Sequence, residues 1–144
     1  MTIIHKLTAC VLALGLAGAA LAQQGLPPLQ TSGSVSYITG GIGLDESTAI
    51  KAAEKDFALS LLFAQSKRGE YLSGVKVSIK DKAGKSVLET VSDGPMLLAR
   101  LPAGAYKISA EHEGTVLVKT VRVEAKGVTR AGFVWRPASE ATIK

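Results

Sequence analysis

The chain has 144 residues, with 17 Lys and Arg against 12 Asp and Glu, two histidines and one cysteine. This length suits one compact core, the lone thiol excludes an internal disulfide, and nothing supplies the three or four ligands of a zinc site. The net charge of +5 is spread along the chain as single positions, with only Lys67-Arg68 adjacent. That pattern reads as a solvated surface, not a nucleic-acid footprint, and leaves open a weak affinity for acidic glycans or anionic lipid.

Residues 1–22 read as a signal peptide. Lys6 supplies the positive start, "LTACVLALGLAGAALA" is an apolar run too short and too rich in small residues for a membrane span, and Ala20-Leu21-Ala22 gives the small-x-small cleavage pattern. A lipoprotein site at Cys10 fits poorly, because the apolar stretch follows that cysteine instead of preceding it. Cleavage would remove Cys10 and His5, leaving His112 as the single histidine and no transmembrane segment in the mature chain. The expected location is the periplasm, or beyond it by full secretion.

Residues 23–33, "QQGLPPLQTSG", read as a flexible leader. Residues 34–57 hold a short strand, Ser34 to Ile38, a glycine loop and a helix from about Asp45 to Phe57. Ile50, Ala53 and Phe57 form its apolar stripe, and Asp45 suits the N-cap. The loop Gly40-Gly41-Ile42-Gly43 resembles the start of a phosphate site. However, Asp45 and Glu46 stand where a P-loop needs Lys and Ser or Thr, so a turn and a helix cap are expected.

From Ala58 the period becomes alternating, and seven strands are expected, each bounded by turn residues. They are "ALSLLFAQ", "GVKVSIKD", "KSVLETV", "MLLARL", "AYKISAE", "TVLVKTVRVE" and "VTRAGFVW". In the sixth, Val116 and Val118 share one phase while Val121 and Val123 share the other. Either a bulge lies near Lys119-Thr120 or Lys119 points partly inward. Short strands with regular turn signals argue for a mainly β antiparallel sandwich with the helix as an N-terminal addition. Residues 137–144 form a tail.

The stretches "YLSGVKVSIKDKAGKSVL" and "SDGPMLLARLPAGAYKISAEHEG" carry a resemblance to the carboxypeptidase regulatory-like domain, over residues 58–136. The matching positions are Gly74-Val75, Asp81 with Gly84, Asp93-Gly94, Leu101-Pro102, Gly104 and Tyr106, then Gly114. The resemblance implies a seven-stranded antiparallel prealbumin-like sandwich in which Gly74, Val75, Gly84, Asp93, Gly94, Leu101, Pro102, Gly104 and Tyr106 have structural roles. It further implies a module that supports, spaces or binds and does not catalyse. The whole chain is also similar to small exported proteins of Gram-negative bacteria. The transthyretin-like hydrolases of hydroxyisourate use several histidines, an arginine and a C-terminal Tyr-Arg-Gly-Ser. This chain ends "WRPASEATIK" and has one mature histidine, so that activity is expected to be absent.

No catalytic residue, cofactor or metal site is therefore expected. His112, between Glu111 and Glu113, reads as an exposed turn histidine. Tyr71 and Trp135 lie near strand ends, where an exposed aromatic could touch a ligand, although core is the favoured reading. The expected function is protein–protein contact in the cell envelope, through a sheet edge or the strand-end loops. The alternative is a carbohydrate or envelope-polymer binder using Tyr71, Trp135 and the scattered lysines.

Overall fold

The computed structural model describes residues 25–66 and 69–136. The expected signal peptide over 1–22, the tail 137–144 and the Lys67-Arg68 pair lie outside the described residues. The chain runs through β1 (Gln30–Ser32), β2 (Val35–Gly40), α1 (Leu44–Ala53) and a 3-10 turn (Glu54–Asp56). It continues with β3 (Leu59–Gln65), β4 (Glu70–Tyr71), β5 (Lys76–Lys80), β6 (Ser86–Val91) and β7 (Met96–Ala99). It then closes with β8 (Gly104–His112), β9 (Thr115–Val123) and β10 (Thr129–Trp135). Among the described residues no helix is long and apolar enough to cross a membrane.

These strands make a mainly β, two-sheet sandwich. Sheet one has the order β1-β2-β7-β3-β10, with β4 added beside β3; sheet two has the order β6-β5-β8-β9. Alternating side chains from both inner faces form the core, including Leu59, Leu61 and Phe63 of β3, Val77 and Ile79 of β5, Ile108 of β8 and Phe133 of β10. Burying each such side chain contributes about 1.5–3 kcal/mol. Side-chain hydrogen bonds span both open sides of the sandwich. Tyr37 Oη lies 3.1 Å from Thr90 Oγ1 on one side, and Trp135 Nε1 donates to the Thr115 carbonyl at 2.9 Å on the other.

The described residues hold ten strands: the seven expected for the sandwich, the short strand expected at Ser34 to Ile38 (β2), and two that were not expected, β1 and β4. β1 falls inside the stretch read as a flexible leader; it pairs antiparallel with β2 through Gln30 and Tyr37, whose hydroxyl donates to Gln30 Oε1. β4 falls in "GEYL", where two paired residues are too few to show any period. The arrangement is also not wholly antiparallel, because β10 runs parallel to β3 from Thr129 beside Leu59 to Trp135 beside Gln65. Alternation marks a segment as a strand but carries no information about its partner or direction.

The helix is shorter than the stripe suggested. Gly43, with φ 86°, occupies the N-cap without a side-chain hydrogen bond, so Asp45 lies in the first turn instead of capping it. There its charge still favours the positive helix end. Past Ala53 the helix tightens into the 3-10 turn, and Phe57 is extended at φ −125° and ψ 156°. Strand β9 has no bulge: its register with β8 is unbroken from Gly104 beside Val123 to His112 beside Thr115. Lys119 therefore falls on the inward phase, where its ammonium lies 5.6 Å from the Phe133 ring centre. Val116 and Val118 face solvent.

The family-like positions have local physical roles. Gly74 N–H donates to the Ser92 carbonyl, and Val75 N–H donates to Ser92 Oγ at 3.0 Å, tying the start of β5 to the end of β6. Gly84, with φ 83°, completes a turn in which Asp81 Oδ1 accepts from the N–H groups of Ala83 and Lys85, both at 2.9 Å. Asp93 N–H donates to Thr39 Oγ1 across to sheet one. At Gly94 a Cβ would stand 2.3 Å from the Gly40 carbonyl oxygen, so the two backbones can pass only without one. Leu101 is buried, Pro102 is exposed, Gly104 opens β8, and the Tyr106 hydroxyl donates to the Pro102 carbonyl at 2.7 Å.

Gly94→Ala must push β2 from β7 and is expected to cost about 1–3 kcal/mol, read as a lower midpoint in urea unfolding. Burial first, and the Asp81 carboxylate second, hold the Tyr106 phenol above the ordinary tyrosine range. The unfolded chain therefore releases this proton first as pH rises, and stability falls above about pH 10. Tyr106→Phe is expected to lose about 1 kcal/mol at neutral pH and to flatten this alkaline decline in urea midpoints measured across pH.

Candidate functional site

The outer face of sheet one is only partly covered. Alternation on β3 sends Leu59, Leu61 and Phe63 inward and leaves Ser60, Leu62 and Ala64 on the outer face. The parallel register sets Arg130 beside Ser60, Gly132 beside Leu62 and Val134 beside Ala64. Helix α1 seats Ile50, and Phe57 beyond it, on Ile38 of β2 and on Met96 and Leu98 of β7. It leaves β3 and β10 open on that face.

The result is a cleft of about 690 Å³. Ser60, Leu62 and Gly132 form its sheet side, Leu44, Ser47 and Lys51 its helix side, and Tyr71 also lines it. Several of its apolar side chains meet water: Leu62 is 39% exposed, Tyr71 66% and Leu44 80%. At the C-terminal end of the helix an ion pair between Glu54 Oε1 and Arg130 Nε joins the 3-10 turn to β10. Glu54 is largely buried there, while the arginine remains mostly in solvent.

The glycine loop borders the same cleft and is a turn. Glu46 Oε1 accepts from Gly41 N–H at 2.7 Å, so the loop's own carboxylate takes the donor that an anion would need. Glu46, and not Asp45, is the acid that holds the helix entrance. Gly41 and Met96 meet on the cleft wall.

The structure separates the two aromatic candidates. Tyr71, paired with Ala64, shares the outer face with the cleft. Trp135 is 4% exposed and packs among Phe63 and Phe133 in the core, with its indole N–H bonded. Trp135 is therefore a core residue and not a ligand contact. The inward phase of β10 decides this, because Trp135 follows Phe133 at a spacing of two.

His112 is not the exposed turn residue the sequence suggests. It ends β8 with its imidazole edge-on to Trp135, ring centres 5.8 Å apart, and is mostly covered. Its Nε2 lies 3.9 Å from Glu113 Oε1. Among the described residues no three His, Cys, Asp or Glu side chains gather as a metal site would require.

Leu62, Gly132 and Lys51 escaped the sequence reading. Two signals pointed to the first pair. In "LSLLFAQ" adjacent Leu61 and Leu62 cannot both face the core, and Gly132 interrupts the pattern of "TRAGFVW".

No protein-family model matches this chain, and no curated protein sequence matches it. Among solved structures it is similar to 5-hydroxyisourate hydrolase of Klebsiella pneumoniae, with 20% identity and a TM-score of 0.46 over 56% of this chain and 90% of the enzyme. It is also similar to BcpA, the major pilin subunit of Bacillus cereus, as its D312A variant, with 16% identity and a TM-score of 0.43. That match covers 53% of this chain and 28% of the pilin. At these scores the likenesses say nothing about activity, and the sandwich rests on the strand pairing described above.

The contact between Glu46 and Gly41 makes one prediction about the cleft wall. Glu46→Ala removes a charge-assisted hydrogen bond and is expected to cost about 1.5 kcal/mol. Amide hydrogen exchange should then quicken at Gly41 while the exchange of β8 amides keeps its ranking.

Proposed function

We propose that the chain is an exported, non-catalytic binding module of the carboxypeptidase regulatory-like kind. Its cleft between α1 and strands β3 and β10 receives an apolar segment of a protein partner in the cell envelope. The leader-like composition of residues 1–22 supports export, and the turn roles of Asp81, Gly84, Gly94 and Tyr106 support the family reading.

One observation carries the assignment of the cleft. Gly132 lies in the middle of β10, yet nothing stands within 4 Å of where its Cβ would be, and it has no left-handed φ. Glycine weakens a strand interior, so the fold gains nothing from it here. A bare backbone beside exposed Leu62 does suit close approach by another molecule. Among the described residues lining the cleft Tyr71 alone is aromatic. Aliphatic walls favour an apolar protein segment over a sugar, which stacks on aromatic rings, and with Trp135 buried the carbohydrate reading loses one of its two candidate aromatics.

Gly132→Val tests the assignment. It should stabilise the fold by about 0.5–1 kcal/mol while obstructing the cleft. A photo-crosslinking residue at Tyr71, in intact cells of the host, should give one dominant protein adduct that Gly132→Val abolishes. The same group at Lys76, on the other sheet, should give none. Adducts that are equal at both positions, or no adduct with the molecule retained on purified envelope material, would overturn the protein-partner reading.

A further inference from the structure

Sheet two has an outer face with an uneven charge pattern. At one end Lys76 of β5 stands opposite Glu111 of β8, an attractive cross-strand pair. At the other end the register sets Lys80 of β5 directly opposite Lys107 of β8, with Thr120 of β9 next in the row. Lys82, in the turn that follows β5, borders the same hollow, which measures about 460 Å³ and is also lined by Gly84 and Thr120. The sequence separates these lysines by as many as 27 positions, and strand pairing gathers them.

Like charges facing one another across a sheet oppose folding. Among the described residues neither Lys80, Lys82 nor Lys107 has an ion-pair partner. The one carboxylate in the hollow, Asp81, is fastened by Oδ1 to two backbone N–H groups of its own turn. Three lysines and a threonine thus line one concave surface, whose single carboxylate leaves a surplus of positive charge. Ammonium groups are point-charge donors that suit a multi-oxygen anion.

We infer that this hollow is a binding site for a phosphate group, held by Lys80, Lys82 and Lys107 with the Thr120 hydroxyl. It lies on the opposite face of the sandwich from the cleft, so the two sites stand or fall separately. The phosphate comes either as a soluble anion or as the headgroup of an anionic phospholipid, and the two sources separate by experiment.

The test titrates isotope-labelled protein with inorganic phosphate at constant ionic strength, followed by amide resonances. Saturable shifts are expected at Gly84, Lys107 and Thr120. The double variant Lys80→Gln, Lys107→Gln should weaken binding by about tenfold or more, and Lys76→Gln should leave it unchanged. Lys107→Glu, which places an acid opposite Lys80, should abolish binding and raise the thermal midpoint, showing that loss of binding is not loss of fold. A parallel arm measures co-sedimentation with phosphatidylcholine vesicles, with and without phosphatidylglycerol. Lysine-dependent binding to the anionic vesicles identifies the headgroup as the source; saturable phosphate shifts without vesicle binding identify a soluble anion. Shifts that do not saturate or that persist in the double variant, together with vesicle binding that is absent or indifferent to these lysines, would overturn the site.

Discussion

Strand β7 is buried on both faces, and the arrangement of sheet one follows from that. Met96, Leu97, Leu98 and Ala99 have no solvent-facing side. Leu97 and Ala99 fill the space between the sheets, whereas Met96 and Leu98 point the other way and need a cover of their own. Helix α1 is that cover. It packs on Ile38 of β2 and on Met96 and Leu98 of β7, and leaves the neighbouring β3 and β10 without a cover. The uncovered remainder is the cleft, so the packing that completes the second apolar cluster also defines the candidate site.

Glycines mark the two sides of this division. Gly40 and Gly94 meet where β2 and β7 pass, and the contact leaves no room for a side chain. Gly132 has ample room and remains bare. The first two serve the fold. The third lies in a strand interior, where glycine costs the fold a little.

Charge is arranged by the same strand pairing. Arg130 meets Glu54 where β10 passes the end of the helix, and Lys119 turns inward over Phe133 on the edge strand β9. An inward-pointing lysine is a common protection of a sheet edge against pairing with another chain. It also explains why the valines of β9 change phase without a bulge: Val116 and Val118 face outward on the same strand that carries Val123 into the core. Sheet two therefore has a blunted edge and an outer face that mixes lysines with exposed Val91, Val116 and Val118, and sheet one has the open cleft.

Local sequence determined much of this molecule. Alternation and turn signals located the seven strands of the sandwich, and the apolar run "MLLA" matches a strand covered on both faces. "DKAG" placed the Asp81 turn, and Pro102 and Gly104 in "LPAGAY" placed the turn before β8. Each depends on neighbours a few residues away, so each is legible without knowledge of the fold. The parallel partnership of β3 and β10, the pairing of β1 and β4, and the seating of α1 depend on residues far apart in the chain, which no local period encodes. Burial of Trp135 beside Phe63, exposure of Leu62 beside Gly132, and the gathering of Lys80 with Lys107 are products of register between distant strands. Tertiary structure alone decided them, because a side chain's face follows from its own strand but its company follows from the strand beside it.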